Sequence, residues 1–251
     1  MKVFTSMSEW QTYRGAMKES PLGFVPTMGA LHQGHLSLLK ASKEQNALSI
    51  VSVFINPTQF DDKKDFEKYP DDTGSDLERL ESAGADIVLL PDPAQIYRDD
   101  YRFKLTESDF SRRLCGAHRP GHFDGVLTVV MRLLNLVRPD HAYFGEKDYQ
   151  QLQLIRDMVS AFFMPVNIIA CETVREPDGL AMSSRNQHLD AGQRARAAKL
   201  YAALKHSRTA AEARQKLAGE GFEVDYVEDI KDRRLAAARL GNTRLNDNVE
   251  I

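Results

Sequence analysis

The sequence predicts an α/β protein: a doubly wound, mostly parallel sheet followed by a smaller α+β unit. Three observations predict it. Two short apolar stretches, Leu22-Gly23-Phe24-Val25 and residues 48–55, read as strands, the second nearly continuous and β-branched as a strand buried on both faces should be. Leu36, Leu38 and Leu39 follow the first at helical spacing, so strand and helix alternate along the chain. Beyond Gly179 the character changes to alanine-rich helices and one alternating strand, residues 222–227.

In chain order, residues 6–19 form a first helix, with Ser6 or Ser8 as its cap and Trp10, Tyr13 and Met17 as its apolar side. The strand at 22–25 runs into Pro26-Thr27-Met28-Gly29-Ala30-Leu31-His32-Gln33-Gly34-His35, a glycine-bearing turn and a helix start. The strand at 48–55 stops at Asn56-Pro57-Thr58-Gln59-Phe60, because proline cannot extend the ladder. That loop falls at the carboxyl edge of the sheet, where open α/β sheets take their ligands. Residues 61–76 are crowded with charge and read as a solvated loop; the alternative is a mobile flap anchored by Phe66 and Tyr69. A helix at 73–83 and a strand at 85–90, closed by Pro91 and Pro93, complete another unit.

The stretch 114–125 is polar, glycine-rich and basic, and a helix from 126 to 137 follows it. A strand at 141–144 turns through Gly145-Glu146-Lys147-Asp148 into a helix carrying Leu152, Ile155, Met158 and Val159, and 166–174 is another strand. These units give a Rossmann-like parallel sheet with right-handed crossovers over residues 1–175. Residues 176–251 form the smaller α+β unit, with helices at 190–206 and 209–219. Its chain passes quickly from Ile230 through Lys231-Asp232-Arg233-Arg234 to an alanine run, so its sheet reads as trimmed.

Composition narrows the function classes. The 251 residues are 42% hydrophobic and 27% charged, ordinary for a globular protein of one large or two modest domains. A net charge of −3 and a pI near 6.2 give no reason to expect nucleic acid as the main partner. Two cysteines, Cys115 and Cys171, are too few for a disulfide framework or a thiolate zinc cluster. Residues 1–6 lack the apolar core of a signal peptide and no apolar run approaches the length needed to span a bilayer, so the expectation is a cytoplasmic protein that binds no membrane.

The 26–35 block carries the chemistry. A helix start offers unpaired N–H groups and a positive dipole end to anions. Gly29 and Gly34 let a planar or phosphorylated ligand approach the backbone. His32 and His35 lie three apart, so both imidazoles project from one face of the first turn. Imidazole donates a hydrogen bond to phosphate whether or not it is fully charged.

Four blocks in order, Pro26–His35, Val53–Phe60, Phe144-Gly145-Glu146-Lys147-Asp148-Tyr149-Gln150-Gln151 and Met182-Ser183-Ser184-Arg185-Asn186, resemble the pantothenate synthetase (pantoate–β-alanine ligase) family of the H-x-G-H nucleotidylyltransferases. Arg119-Pro120-Gly121-His122-Phe123 supports the resemblance, which covers nearly the whole chain. It implies a two-step reaction: pantoate is adenylated by ATP with release of pyrophosphate, and the amine of β-alanine then displaces AMP. It implies His32, His35, Lys147 and Arg185 as catalytic, with His35 as the proton donor. ATP would also meet Met28, Gly29, Ala30, Leu31, Gln33 and Gly34, then Gly145, Glu146 and Asp148, and Val174, Met182, Ser183 and Ser184. Asp148 would accept from a ribose hydroxyl or cap its helix, and Ser183-Ser184 would close over phosphate or serve as an ordinary cap.

Gln59 and Gln151 match the family's pantoate-binding glutamines, with Gln59 also near the β-alanine position; Asn56, Arg119 and Tyr69 are candidates in the same pocket or its flap. Mg²⁺ is expected with ATP, held mainly by phosphate oxygens and water, with no dedicated protein metal site. Dimerisation is the family's habit. Two other readings are a plain nucleotidylyltransferase, opposed by the Gln59/Gln151 pair, and a tRNA-binding or regulatory relative, opposed by the acidic pI and the retained His32, His35, Lys147 and Arg185.

Overall fold

The computed structural model describes residues 1–18, 20–61, 63–67 and 69–251. The chain divides into two compact units. One comprises Met1–Phe144 and Gln151–Cys171, the other Gly145–Gln150 and Glu172–Ile251.

The first unit is built on a six-stranded sheet. Its strands are β1 (Lys2–Phe4), β2 (Leu22–Thr27), β3 (Leu48–Val53), β4 (Ile87–Leu89), β5 (His141–Gly145) and β6 (Asn167–Cys171), in the spatial order β1-β4-β3-β2-β5-β6. The pairs β1/β4, β4/β3, β3/β2 and β2/β5 are parallel. The helices are α1 (Met7–Ala16), α2 (Gln33–Gln45), α3 (Lys63–Glu67), α4 (Thr73–Ser82), α5 (Pro93–Ile96), α6 (Cys115–His118), α7 (His122–Val137) and α8 (Tyr149–Ala161).

Strand periodicity accounts for the two-sided layering. Successive side chains point to opposite faces, and here the alternate residues enter different cores. Phe24, Ile50 and Ile87 pack with Trp10 of α1, residues of α7 and residues of α8. Val25, Val51, Val88 and Tyr143 pack instead with Leu38 and Leu39 of α2 and Leu80 of α4. Burial on both faces is why β2 and β3 read as continuous apolar runs. This is the doubly wound sheet the sequence implied.

Several boundaries move. α1 is capped by Ser6, whose hydroxyl accepts from the Glu9 N–H at 3.3 Å, and it ends at Ala16. β1, a three-residue edge strand, carries no periodicity the sequence could show. α7 begins at His122 rather than 126, because Gly121 takes a left-handed conformation (φ 81°) and lets the helix start directly after it. Of the charged run, Asp62 and Lys68 lie outside the described residues, while residues 63–67 form α3. Phe66 and Tyr69 both pack edge-on against Phe60, at centroid distances of 5.2 and 5.5 Å.

The second unit contains α9 (Ala191–Ala197), α10 (Lys199–His206), α11 (Ala210–Gly219), and the antiparallel sheet β7 (Glu223–Ile230), β8 (Arg233–Leu240), β9 (Thr243–Glu250) in that order. The trimmed sheet expected after Ile230 is absent: β8 and β9 are eight residues each. Ala236, Ala237 and Ala238 are fully buried in the central strand, so the alanine run is a strand held by its neighbours rather than by its own propensity. No helix among the described residues is long and apolar enough to cross a membrane.

Candidate active site

β2 and β3 are neighbours in register, Thr27 opposite Val53, so the turns leaving their carboxyl ends lie side by side. The turn after β2 is set by a single carboxylate. Asp76 of α4, 4% exposed, accepts from the Ala30 and Leu31 N–H groups, each at 2.8 Å. Arg79, one helical turn on, donates to the Leu31 carbonyl. Gly29 lies at φ +82°, and a Cβ there would sit 2.8 Å from Asp76 Oδ2. Ala30 itself holds a left-handed φ of 50°. The two charge-assisted bonds hold this turn against its own strain.

The turn delivers His32 as the N-cap of α2. His32 Nδ1 accepts from the Gly34 N–H at 3.1 Å, and His35 Nδ1 accepts from the His32 N–H at 3.3 Å. The imidazoles thus form a capping box, with ring centroids 4.1 Å apart. An Nδ1 that accepts leaves the proton of a neutral ring on Nε2, so both rings are N–H donors at Nε2. Gln33 is exposed, and the Leu31 side chain is buried in the core, leaving only its backbone to the turn.

The turn after β3 is one turn of 3-10 helix, Pro57–Gln59, capped by Asn56. Asn56 is 1% exposed. Its Oδ1 accepts from the Thr58 N–H (3.4 Å), the Thr58 hydroxyl (3.0 Å) and the Tyr97 hydroxyl (2.6 Å). Its Nδ2 donates to the Gly125 carbonyl at 3.3 Å and to Gln59 Oε1 at 3.0 Å. Backbone groups therefore fix which way the Asn56 amide faces, and Asn56 in turn fixes Gln59. Gln59 turns its Nε2 the other way, toward Met28 Sδ at 2.7 Å. Burial pushes the Tyr97 phenol above its usual pKa, so it stays a donor. Gly125 lets α7 approach: a Cβ there would lie 2.2 Å from the Thr58 carbonyl oxygen.

Arg119 lies against the backbone of this turn. Its Nε pairs with Asp61 Oδ1 at 2.7 Å, its Nη1 meets His122 Nε2 at 3.1 Å, and its Nη2 donates to the Gln59 carbonyl at 3.4 Å. Burial works against ionisation of Asp61, but the Arg119 guanidinium and His122 more than offset it, and its pKa is lowered. Gln151 sits partly exposed in the first turn of α8. It has no described contact with Gln59.

In the second unit, Gly145 caps a 3-10 turn, Glu146–Asp148. Lys147 Nζ donates to Asn246 Oδ1 at 3.1 Å and lies 3.5 Å from Asp148 Oδ1. Asn246 Nδ2 donates to Asp148 Oδ1 at 2.7 Å. Partial withdrawal from water opposes ionisation of Asp148, yet Lys147, the Asn246 amide and the Arg185 guanidinium together lower its pKa. Glu146 pairs with Arg233 at 2.9 Å. Residues 174–182 double back, the Met182 N–H donating to the Val174 carbonyl at 3.0 Å. Ser183 caps the 3-10 turn Ser184–His188, its hydroxyl accepting from the Arg185 N–H at 3.3 Å, so the ordinary capping role is real.

Three residues that shape these turns escaped sequence reasoning: Asp76, Gly125 and Asn246. Asp76 sat in a run of charges, Gly125 in a glycine-rich stretch and Asn246 beyond the last expected strand. Each acts through a contact distant in sequence. Asp76→Ala is expected to lower stability by about 1–3 kcal/mol, because two buried N–H groups lose their acceptor; the denaturant midpoint measures it.

A doubly wound sheet whose second strand runs into a histidine-capped H-x-G-H helix start defines an H-x-G-H nucleotidylyltransferase-type protein. A family model described as pantoate-beta-alanine ligase matches residues 2–250. The chain belongs to the pantoate–β-alanine ligase family, and is thereby an enzyme. The pantothenate synthetase of Bdellovibrio bacteriovorus is 52% identical over 250 residues, covering 100% of this chain and 99% of that one. That of Coxiella burnetii is 47% identical over 99% of this chain and 96% of its own. Among solved structures, the Francisella tularensis pantoate–β-alanine ligase complexed with beta-gamma ATP and beta-alanine superposes with a TM-score of 0.94 at 38% identity, covering 100% of this chain and 97% of that one. The Thermus thermophilus pantothenate synthetase gives 0.93 at 36%, covering 100% and 99%.

Proposed function

We propose that this chain condenses pantoate with β-alanine in two steps. A pantoate carboxylate oxygen attacks the α-phosphorus of ATP, the bond to the β-phosphate breaks, and pyrophosphate leaves. The deprotonated amine of β-alanine then attacks the acyl carbon of pantoyl adenylate, the bond to AMP breaks, and the nitrogen gives up a proton to solvent as the amide forms. The observation that carries this reading is the family match across residues 2–250, supported by a relative solved with ATP-type and β-alanine ligands.

The residues suit those demands. Two anions must meet, so donors and cations must offset their repulsion and the charge at phosphorus. His32 and His35 supply Nε2–H groups at a helix start, with His35 as the proton donor. Lys147 and Arg185 supply cations, and Asp148, Ser183 and Ser184 hydrogen-bonding oxygens. Met28, Gly29, Ala30, Leu31, Gln33 and Gly34, with Gly145, Glu146, Val174 and Met182, form the rest of the ATP-binding set. Because Asn56 claims Gln59 Oε1, Gln59 offers N–H, which fits an acceptor oxygen of pantoate. Gln151 is its partner for the same substrate, with Asn56 and Arg119 fixing the Gln59 turn. Mg²⁺ would arrive with ATP and neutralise phosphate oxygens when bound. The same reading takes a homodimer and a cytoplasmic setting, where Cys115 and Cys171, which form no disulfide, stay reduced.

The test is product release. Pyrophosphate is expected with ATP and pantoate alone, and AMP only when β-alanine is added. Pyrophosphate that waits for β-alanine, or that appears equally with unrelated acids, would sink the reading.

A further inference from the structure

The last strand of the chain bears on the Gly145–Asp148 turn through two asparagines two residues apart, which a strand places on one face. Asn248 Nδ2 donates to the Glu146 carbonyl at 2.8 Å and to the Lys147 carbonyl at 3.1 Å, holding the backbone of the turn. Asn248 is 3% exposed, and its own Oδ1 is fixed by Arg233 Nη1 at 2.9 Å. Asn246 handles the side chains. Its amide is a neutral group whose two ends match both neighbours: the oxygen faces the Lys147 ammonium, and the nitrogen faces the Asp148 carboxylate. A long lysine ordinarily loses much of its rotamer freedom when it is fixed. Here a rigid strand fixes it beforehand.

We propose that Asn246 is a positioning residue for the adenylation step, holding the Lys147 ammonium and the Asp148 carboxylate in the geometry in which they meet ATP. The inference rests on the assignment of Lys147 to ATP and extends it to a residue of β9. Asn246 touches no reacting atom. It keeps Lys147 from closing fully onto Asp148, because it takes one hydrogen bond from the ammonium and gives one to the carboxylate. The donor end matters as much as the acceptor end.

The experiment uses Asn246→Asp, Asn246→Leu, Lys147→Ala and the double variant Asn246→Leu/Lys147→Ala in the full-length enzyme, with pyrophosphate release as the readout. Asn246→Asp has the same shape, so a role in packing alone would survive it. The proposal expects it to raise the KM for ATP about ten- to hundredfold, as Asn246→Leu does, because a carboxylate cannot donate to Asp148 and draws Lys147 onto itself. The KM for pantoate in Asn246→Asp should stay near the wild-type value. The double variant should be little worse than Lys147→Ala alone, since Asn246 acts through that lysine. A wild-type KM for ATP in Asn246→Asp, or full additivity in the double variant, overturns the proposal while Lys147→Ala remains damaging. If Lys147→Ala itself leaves ATP kinetics unchanged, the assignment of Lys147 falls, and the inference with it.

Discussion

His35→Ala is expected to lower turnover by about a hundred- to ten-thousandfold, the range for losing a positioned proton donor. The structure adds a complication: the same ring caps the helix, its Nδ1 accepting the His32 N–H. Truncation therefore also removes a cap, at about 0.5–2 kcal/mol. His35→Asn separates the two effects. The asparagine oxygen falls near the place of Nδ1 and preserves the cap, while nothing replaces Nε2–H. The His35→Asn enzyme should melt near the wild-type temperature and still be as slow as His35→Ala. Near-normal turnover in His35→Asn would show that the imidazole serves only to start the helix.

Lys147→Ala is expected to lower kcat/KM about a hundred- to thousandfold, comparable with removing one preorganised charge-stabilising group. Its second effect is on pH dependence. The Asp148 carboxyl is lowered by Lys147, Asn246 and Arg185. A lowered carboxylate contributes stability that is present above its unfolded-state pKa and lost as pH falls through the folded-state value. Without Lys147 that contribution shrinks, so the variant should lose stability less steeply on acidification. Denaturation midpoints across the acid range measure the slope; an unchanged slope would place Asp148 under the control of Arg185 and Asn246 instead.

How much of this was readable beforehand follows from how local the signals are. β2, β3 and the α2 start were legible because their residues carry the pattern themselves: apolar runs, a proline stop, and glycines beside paired histidines. The same local quality made the four family blocks visible. β8 was not legible, because Ala236, Ala237 and Ala238 resemble a helix and become a strand only through burial between β7 and β9. The start of α7 was obscured because Gly121 and Gly125 look like loop residues, whereas one supplies a left-handed step and the other a close approach to Thr58. Asp76 and Asn246 were beyond reach for a related reason. Their partners lie 45 and 46 positions away for Asp76, and 98 and 99 for Asn246, and no window along the chain spans that.

The tight hairpin between β8 and β9, made by Gly241 and Asn242 with Gly241 at φ +56°, sets which face of the final strand each side chain occupies. A strand slipped by one residue inverts its faces. Deleting or inserting one residue in that hairpin would rotate both asparagines away and bring Asp247 round toward a turn that already carries an acidic group. A length change in an exposed loop, tolerated in most enzymes, would here undo the contacts that hold the turn carrying Lys147 and Asp148.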